Sequence, residues 1–327
     1  MDVEAARALA PWMSALATGL AFGGLALAVY LTFRVLDFPD LTVDGSLGFG
    51  AAITAALIQF GHWNPWLTLL AAGGAGALAG LATGLLHTGL KINGLLASIL
   101  VAISLFTINL RVMHGSDLSL FDANTLFAGA NGDVSTLETW LAPFGAFAAR
   151  SDFRASVVLL LLTALIIMAA YWWLNSEQGL ALRATGDNAP MIRAQGTNTD
   201  RMKILGLMVA NGLCGLSGAL LAQQLGFADI NLGPGSILTG LAAVILGEAV
   251  FRGGGVLAGL VGAVVGSILF QLILALTQVQ FTLASTDYKL ASALIVLIAL
   301  LISALRGRLG LRRLTRPRRD AVGKAES

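Results

Sequence analysis

Long apolar stretches, separated by short polar segments, occupy most of the chain. Two of them, residues 156–174 and 291–305, contain no charged residue and approach or reach the roughly 20 apolar residues with which a helix crosses a bilayer. The pattern predicts an all-α integral membrane protein with about nine transmembrane helices, and eight to ten is the expected range. The expected spans are residues 12–33, 47–60, 67–90, 95–112, 155–174, 204–226, 237–251, 255–276 and 290–305.

The composition supports a membrane location and leaves little room for catalysis. Apolar residues make up 57% and charged residues 12% of the chain, and the mean hydropathy is +0.81. The single cysteine, Cys214, excludes an internal disulfide. The three histidines are scattered, and the P-loop pattern of ATP-binding proteins is absent from the sequence. We therefore expect no metal and no cofactor in this chain. An intramembrane enzyme, which needs converging titratable residues, is the less favoured alternative.

The charged residues predict how the chain is oriented in the membrane. The stretch 113–153 contains five acids and one arginine, 175–203 contains three arginines and a lysine, and the C-terminal end contains seven arginines. Positive residues next to a span normally remain in the cytoplasm. We therefore predict an exterior loop at 113–153, a cytosolic loop at 175–203, and a basic cytosolic tail at 306–327 that contacts lipid headgroups rather than nucleic acid. Alternation of the spans then places the N-terminus outside.

Two halves of the chain show a weak internal repeat. The stretch FPDLTVDGSLGFGAAITAALI from Phe38 resembles FADINLGPGSILTGLAAVIL from Phe227, LAGL occurs at Leu78 and Leu257, and LAS occurs at Leu96 and Leu290. These three matches occur in the same order in both halves. We therefore predict one polytopic domain, residues 1–305, with repeat 1 at about 12–112, a linker span at 155–174 and repeat 2 at about 204–305. An odd number of crossings between the repeats would invert the second one, as in many transporters. Chance similarity of apolar helices is the alternative.

Acids and helix-breaking residues coincide in the two matching stretches. Prolines and glycines predict breaks at about 40–46 and 229–236, where inverted-repeat transporters bind their substrates. Alternatively, Asp37, Asp40 and Asp44 lie in a cytosolic loop in which Asp44 or Ser46 caps the next helix. Amides within spans, such as Asn211 and Gln223, are expected to form hydrogen bonds between helices. The candidate substrate-path residues are Asp40, Thr42, Asp44, Ser46, Asn109, Asp229, Asn231 and Ser236.

The predicted cytosolic loop contains a short helix with clear start and stop signals. In GDNAPMIRAQG, Asp187 or Asn188 can cap the helix, Pro190 suits its first turn, and Gly196 can adopt the positive φ of a stop. Leu182, Met191 and Ile192 would form an apolar face on an exposed loop. This face either packs on the membrane domain of the same chain or docks into a groove of a partner.

The same segment carries a resemblance to a known family. The pattern G-x-A-L-R-A-x-G-D-N, then A-x-G-x-N-x-D-x-x-K, then G-L-x-G-A-L-x-A, runs from Gly179 to Ala222. It resembles the permease subunits of ABC importers for branched-chain amino acids, ribose and related solutes. The stretch FPDLTVDGS resembles a branch of that family often described as amino-acid-like permeases. The resemblance extends over about residues 20–305.

The resemblance implies a function and a set of partners. Two permease copies, here expected as a homodimer, would form a path through a bacterial cytoplasmic membrane with the C-terminus in the cytoplasm. An extracytoplasmic solute-binding protein would deliver a small polar solute, and a separate ABC ATPase, which binds ATP and magnesium, would drive alternating access. The permease itself would catalyse no reaction. The coupling helix of the family corresponds to about residues 180–196, with contact residues Arg183, Asp187, Asn188, Met191, Ile192 and Arg193.

Two questions stay open at the level of the sequence. Acidic residues such as Asp40, Asp44 and Asp229 would suit an amino group if they face the path, which favours amino acids over sugars as the solute. A secondary transporter driven by a proton or sodium gradient is the main alternative, because inverted repeats and membrane acids suit it equally well. The exposed helix of the cytosolic loop favours the importer.

Overall fold

The first membrane span consists of three consecutive helical pieces. The computed structural model describes residues 3–127, 151–251 and 255–281, together with 290, 292–297 and 301. Helix α1 (Val3–Ala21) is followed by α2 (Gly23–Val29) and by a π-helix (Tyr30–Val35). Together they provide the span Pro11–Val35. A π-helical turn at a helix end is rare and often marks a functional position.

Three helices follow the first span and complete the first half of the chain. They are α3 (Thr42–Gln59), α4 (Pro65–Gly89) and α5 (Gly94–Met113). Asn64 caps α4 by accepting a hydrogen bond from the N–H of Trp66, and Pro65 occupies the first helical position. Asn93 caps α5 in the same way through the N–H of Leu95. These caps set the short connections on either side of α4.

The second half of the described chain begins with α6. Helices α6 (Ser151–Leu174), α7 (Glu177–Ala194) and α8 (Thr199–Leu225) lead to a short strand β2 (Phe227–Asp229) and a 3-10 turn (Ile230–Leu232). Helices α9 (Ser236–Val250) and α10 (Val256–Phe281) follow, and residues 292–297 are helical again. Strand β2 pairs antiparallel with β1 (Asp117–Ser119), which follows α5.

The helices confirm the predicted all-α membrane architecture. Seven helical segments of the described chain are long and apolar enough to cross a membrane. The predicted span 47–60 corresponds to α3, which is helical throughout but is not one of these seven segments. The predicted span 290–305 lies largely outside the described residues, as do most of the exterior loop and the basic tail.

Helix α8 lies at the centre of the bundle and runs antiparallel to two of its neighbours. Gly24 of the first span lies against Ser217, whereas Leu36, just beyond that span, lies against Gly206. Along α4, Gly73 lies against Leu216 and Gly84 against Ile204. Small residues at these crossings allow the helix backbones to approach closely, which is how helices associate in lipid.

Helix α10 makes the corresponding contact with the first span. Gly19 lies against Ile268, and Gly259 lies against the hydroxyl group of Tyr30, so α10 also runs antiparallel to that span. The first span therefore contacts α8 on one side and α10 on the other. Helices α5 and α6 expose many large apolar side chains at the outside of the bundle, as expected for a surface that faces lipid.

Candidate functional site

The first break in the chain lies between the first span and α3. Residues 36–41 are not α-helical, and Asp37 adopts a positive φ of 51°. Asp40 is fully buried, and its carboxyl group accepts hydrogen bonds from the N–H of Thr42 (2.9 Å) and from Nδ2 of Asn211 (2.7 Å). Because Asp40 satisfies the first N–H of α3, the helix starts at Thr42.

This start corrects two expectations from the sequence. Residues 42–46 were predicted to be unwound, and Asp44 or Ser46 was the predicted cap, but Thr42–Gln59 is helical. Ser46 instead donates a hydrogen bond to Oδ1 of Asn211 (2.7 Å), and the hydroxyl groups of Thr42 and Thr83 are 2.6 Å apart. A buried polar network thus joins α3 to α4 and α8.

The second break lies between α8 and α9, as predicted. Strand β2, the 3-10 turn and a turn at Gly233–Gly235 replace the α-helix, and Gly235 adopts a positive φ of 90° that favours glycine. Oδ1 of Asp229 accepts a hydrogen bond from the N–H of Asn231 (2.8 Å). Asp40 and Thr42 form the same local turn, so each break contains an aspartate that accepts a hydrogen bond from the N–H two positions later.

Asp44 connects the two breaks directly. Although it lies in the first turn of α3, its carboxylate accepts hydrogen bonds from the N–H groups of Gly235 (3.1 Å) and Ile237 (2.7 Å) and from the hydroxyl of Ser236 (2.9 Å). Gly233 lies against the backbone of Asp44. A negative charge at a helix N-terminus satisfies free N–H groups and interacts favourably with the helix dipole. The starts of α3 and α9 are thereby held together.

A two-stranded ladder attaches the residues after α5 to the second break. Asp117 pairs with Asp229, and Leu118 pairs with Ala228. The ladder continues at one end with a hydrogen bond from the N–H of Ile230 to the carbonyl of Ser116 (2.9 Å). These main-chain bonds fix the register between the residues after α5 and the turn at Asp229.

Two cavities lie beside the breaks. The larger, which we name the α9 cavity, has a volume of about 650 Å³. Its wall includes Phe22, Phe227, Asp229, Asn231, Ser236 and Gln271. The smaller, the Asp44 cavity, has a volume of about 320 Å³ and lies between α5 and the second break. Asp44, Phe106, Asn109, Ile230 and Gly233 contribute to its wall. Both volumes suit a small solute.

The candidate path residues therefore fall into two groups. Five line a cavity: Asp44, Asn109, Asp229, Asn231 and Ser236. The other three, Asp40, Thr42 and Ser46, are fully buried in the network around Asn211. The carboxyl group of Asp40 is therefore bound by protein groups.

Polar residues within other helices form bonds between helices, as predicted for such amides. Nε2 of Gln223 donates to the carbonyl of Pro65 (3.3 Å), and its Oε1 accepts from the N–H of Leu126 (3.0 Å). Nε2 of Gln224 donates to the hydroxyl of Thr18 (3.1 Å). The central roles of Asn211 and Thr83 at the first break were not predicted, because their sequence positions do not reveal which side chain they face.

Helix α7 contains the predicted short helix and extends further towards the N-terminus. Asn188 has non-helical backbone angles (φ −158°, ψ 83°) and accepts a hydrogen bond from the N–H of Met191 (3.1 Å), which confirms it as a cap. Gly196 has a φ of 91°, as expected for a stop. Leu182 and Ile192 are buried on the membrane bundle, whereas Met191 is 53% exposed. The apolar side chains of α7 are thus divided between the bundle and the surface.

The other predicted coupling residues lie on two sides of α7. Arg193 donates to Thr199 and pairs with Asp200 at 3.0 Å, so it stabilises the connection to α8. Arg183 and Asp187 instead line a third cavity of about 300 Å³, the α7 cavity. Arg34 and Glu248 form an ion pair on the wall of this cavity.

Comparisons with known proteins give a consistent result. The sequence profile of the family described as "Branched-chain amino acid transport system / permease component" matches residues 13–305. A "tyrosine transport system permease protein" of Clostridioides difficile is 37% identical over 285 residues, which cover 87% of this chain and 88% of the relative. A protein of Rickettsia prowazekii described as uncharacterized is 34% identical over 239 residues, covering 73% and 77% of the two chains. The ribose import permease protein of Escherichia coli K12 is 25% identical over 280 residues, covering 84% and 80%. No solved structure matches the chain significantly.

Proposed function

Because the chain belongs to the family of permease components of branched-chain amino acid transport systems, we propose that it imports an amino acid by alternating access driven by a separate ABC ATPase. Members of this family are non-catalytic membrane subunits, so the chain is not an enzyme. The observation that carries the proposal is the bend of α7 at Asn188, which presents Met191 on a short capped helix outside the membrane bundle.

The solute path is proposed to run beside the two breaks. In transporters with inverted repeats, broken helices meet near the middle of the membrane and provide the substrate site. The antiparallel packing of α8 against the first span supports two inverted halves. The contact of Asp44 with the start of α9 supports a meeting point at the breaks. Asp44, Asn109, Asp229, Asn231 and Ser236 are the proposed path residues, with Asp40, Thr42 and Ser46 as their support.

The lining of the α9 cavity supports an amino acid as the proposed solute. The carboxylate of Asp229 can accept hydrogen bonds from an ammonium group, and Phe22 and Phe227 provide apolar surface for a side chain. The Clostridioides difficile relative is described as a tyrosine transport permease, so aromatic amino acids are the first solutes to test. A sugar has no positive charge to match Asp229.

The partners are proposed from the family and from the surface of the chain. The ATPase, which binds ATP and magnesium, is proposed to contact the second segment of α7 through Met191 and Asn188, while Ile192 and Arg193 fix that segment. Arg183 and Asp187 precede the bend and line the α7 cavity beside the proposed contact. A solute-binding protein would dock near the β1–β2 ladder, and a second permease copy would complete the path. The chain is proposed to lie in a bacterial cytoplasmic membrane with the C-terminus in the cytoplasm.

Co-purification tests the importer against the secondary transporter. The tagged permease is expressed together with its neighbouring genes and is extracted in mild detergent, and any ATPase with a P-loop is identified in the eluate. We expect the ATPase to co-purify with the wild type and to be lost with Met191→Asp, because an exposed apolar contact is replaced by a charge. Ile192 is unsuitable for this substitution because it is buried.

Leu180→Asp is the matched control for this experiment. Leu180 lies on the same helix and is 52% exposed, close to the 53% of Met191, but it precedes the bend at Asn188. We expect this variant to retain the ATPase. If a well-folded wild type brings down no ATPase, the importer proposal fails and a gradient-driven transporter becomes the better explanation. Loss of the ATPase with both variants would contradict a contact localised to the second segment.

A further inference from the structure

The α7 cavity is formed by four elements that meet next to the loop containing α7. The π-helix contributes Tyr30 and Arg34, α7 contributes Arg183 and Asp187, and α9 contributes Glu248. Helix α10 provides a wall of small residues that includes Ala258 and Gly259. The volume of about 300 Å³ is at the lower end of the range of small-molecule sites, about 300–1,000 Å³. This cavity is separate from the two cavities at the breaks, with which it shares no lining residue.

Charges of both signs line this cavity, and only some of them are paired. Arg34 and Glu248 form an ion pair with each other. Arg183 and Asp187 are four residues apart on α7, a spacing that places them on one face of a helix. Within the described residues, neither Arg183 nor Asp187 makes a hydrogen bond or an ion pair with another side chain. One cation and one anion therefore remain available on the cavity wall.

Two glycines allow the elements around the cavity to approach closely. A Cβ at Gly259 would overlap the hydroxyl of Tyr30, so any side chain at this position would displace the Tyr30 ring. Gly186 of α7 lies against the carbonyl of Val35 in the same way, which holds α7 close to the end of the π-helix. These contacts place α7 and Tyr30 on adjoining walls of the cavity.

We propose that the α7 cavity binds a small zwitterion, with its anionic group on Arg183 and its ammonium group on Asp187. A guanidinium group binds a carboxylate or phosphate through two parallel hydrogen bonds, and a carboxylate accepts from an ammonium group. A ligand with a single charge would leave one of the two groups unpaired. The hydroxyl of Tyr30 and the Arg34–Glu248 pair supply further polar contacts on the wall.

Two sources can supply this chemistry. A free amino acid carries a carboxylate and an ammonium group, and a phosphatidylethanolamine headgroup carries a phosphate and an ammonium group. The assignment to the free amino acid rests on the proposed function, since the solute would then have a second site next to the ATPase contact. The charge argument itself is independent of transport.

Calorimetric titration of the purified full-length permease, without ATPase, tests the proposal. The probes are L-tyrosine, tyramine, which lacks the carboxylate, and N-acetyl-L-tyrosine, which lacks the ammonium group. We expect L-tyrosine to bind and each analogue to bind about tenfold or more weakly. Arg183→Gln and Asp187→Asn should each weaken L-tyrosine binding to a similar extent, whereas Glu177→Gln, an exposed charge on α7 outside the cavity, should not.

Ala258→Leu provides a variant that keeps every charge of the cavity. The larger side chain fills part of the space, so we expect it to abolish binding at the α7 cavity, leaving only binding at the α9 cavity, while the thermal unfolding midpoint stays close to that of the wild type. The lipid source is tested by native mass spectrometry of permease from nanodiscs with and without phosphatidylethanolamine. Selective retention of this lipid by the wild type, lost in Arg183→Gln and Asp187→Asn, would assign the cavity to the headgroup.

Two results would overturn the proposal. One is that neither L-tyrosine nor phosphatidylethanolamine binds the folded wild type. The other is that Arg183→Gln, Asp187→Asn and Ala258→Leu all bind as the wild type does. Because these titrations contain no ATPase, they are separate from the co-purification experiment. Failure to recover an ATPase would remove the importer proposal and leave the binding result intact.

Discussion

Asp44 shows how one side chain can join the two halves of the chain. Its position in the first turn of α3 is one where acids commonly satisfy the N–H groups of their own helix. Here the carboxylate instead binds two N–H groups and a hydroxyl at the start of α9. The loss of this single group would leave the start of α9 without its partner while α3 retains the turn at Asp40.

Substitution of Asp44 should therefore affect stability in a graded way. We expect Asp44→Ala to lower the free energy of unfolding by about 1–3 kcal/mol, because partly buried N–H groups lose their acceptor. Asp44→Asn should cost less, since one amide oxygen can still accept. The thermal unfolding midpoint in detergent and solute uptake in proteoliposomes measure the two consequences. Asp122→Ala, which removes another acid of the chain from an exposed position, is the control. Equal effects of Asp44→Ala and Asp122→Ala would exclude a specific role for Asp44.

The sequence indicated which residues lie at or next to the breaks, but it did not indicate which residues they contact. Prolines, glycines and matching acids in the two stretches identified Asp40, Asp44, Asp229 and Ser236 as special positions. The bond between Asp44 and Ser236 joins residues 192 positions apart, and local patterns contain no information about such pairs. Asn211 illustrates the same limit, because an amide within a span predicts a hydrogen bond between helices but not its partner, Asp40.

At the level of elements, the start of α3 was predicted too late because its first turn is polar. Hydropathy places the span from Leu47, but the turn at Asp40 starts the helix at Thr42. Local signals did not predict the first part of α7, because it contains few apolar residues, and the family resemblance alone extended the expected helix back to about residue 180. Its position depends on Leu182, which packs against Gly206 of α8. The capped second part was predicted correctly because Asn188 and Gly196 are local signals.

The crossing of α4 and α8 depends on glycines that have no room for a side chain. A Cβ at Gly76 would overlap the carbonyl of Asn211, whereas a Cβ at Gly74 would meet no other atom within 4 Å. We expect Gly76→Ala to lower the free energy of unfolding by about 1–3 kcal/mol through overpacking. Gly74→Ala should be neutral or stabilise by up to about 1 kcal/mol, because alanine favours the helix. Both variants can be compared by thermal unfolding in one detergent. Similar midpoints for both would show that the two helices can separate without cost.

For the whole molecule, the direction of the helices is the strongest support for inverted halves. The first span and α8 would be the first helices of the two repeats, and they run antiparallel along their contact. The first span also packs against α10, and α8 packs against α4, so each half contacts the other through the corresponding helix. Each half therefore buries its glycine-containing helix surfaces against helices of the other half. Sequence similarity suggested two inverted halves, and the packing is consistent with halves that contact each other through corresponding helices.

The orientation of the molecule in the membrane follows from this arrangement and from the charges of its loops. We expect a cysteine at Asp122, after the β1 strand, to face the exterior and a cysteine at Gln195, at the end of α7, to face the cytoplasm, because both positions are exposed. The native Cys214 is fully buried, so it should react little with a polar reagent.

In intact cells, a membrane-impermeant maleimide should label Asp122→Cys and should label Gln195→Cys only after permeabilisation. Wild-type protein provides the background, and both variants must label in detergent to show that the sites are accessible. The reverse labelling pattern would place α7 outside, where no cytosolic ATPase could reach Met191, and the importer mechanism would then be untenable for this chain.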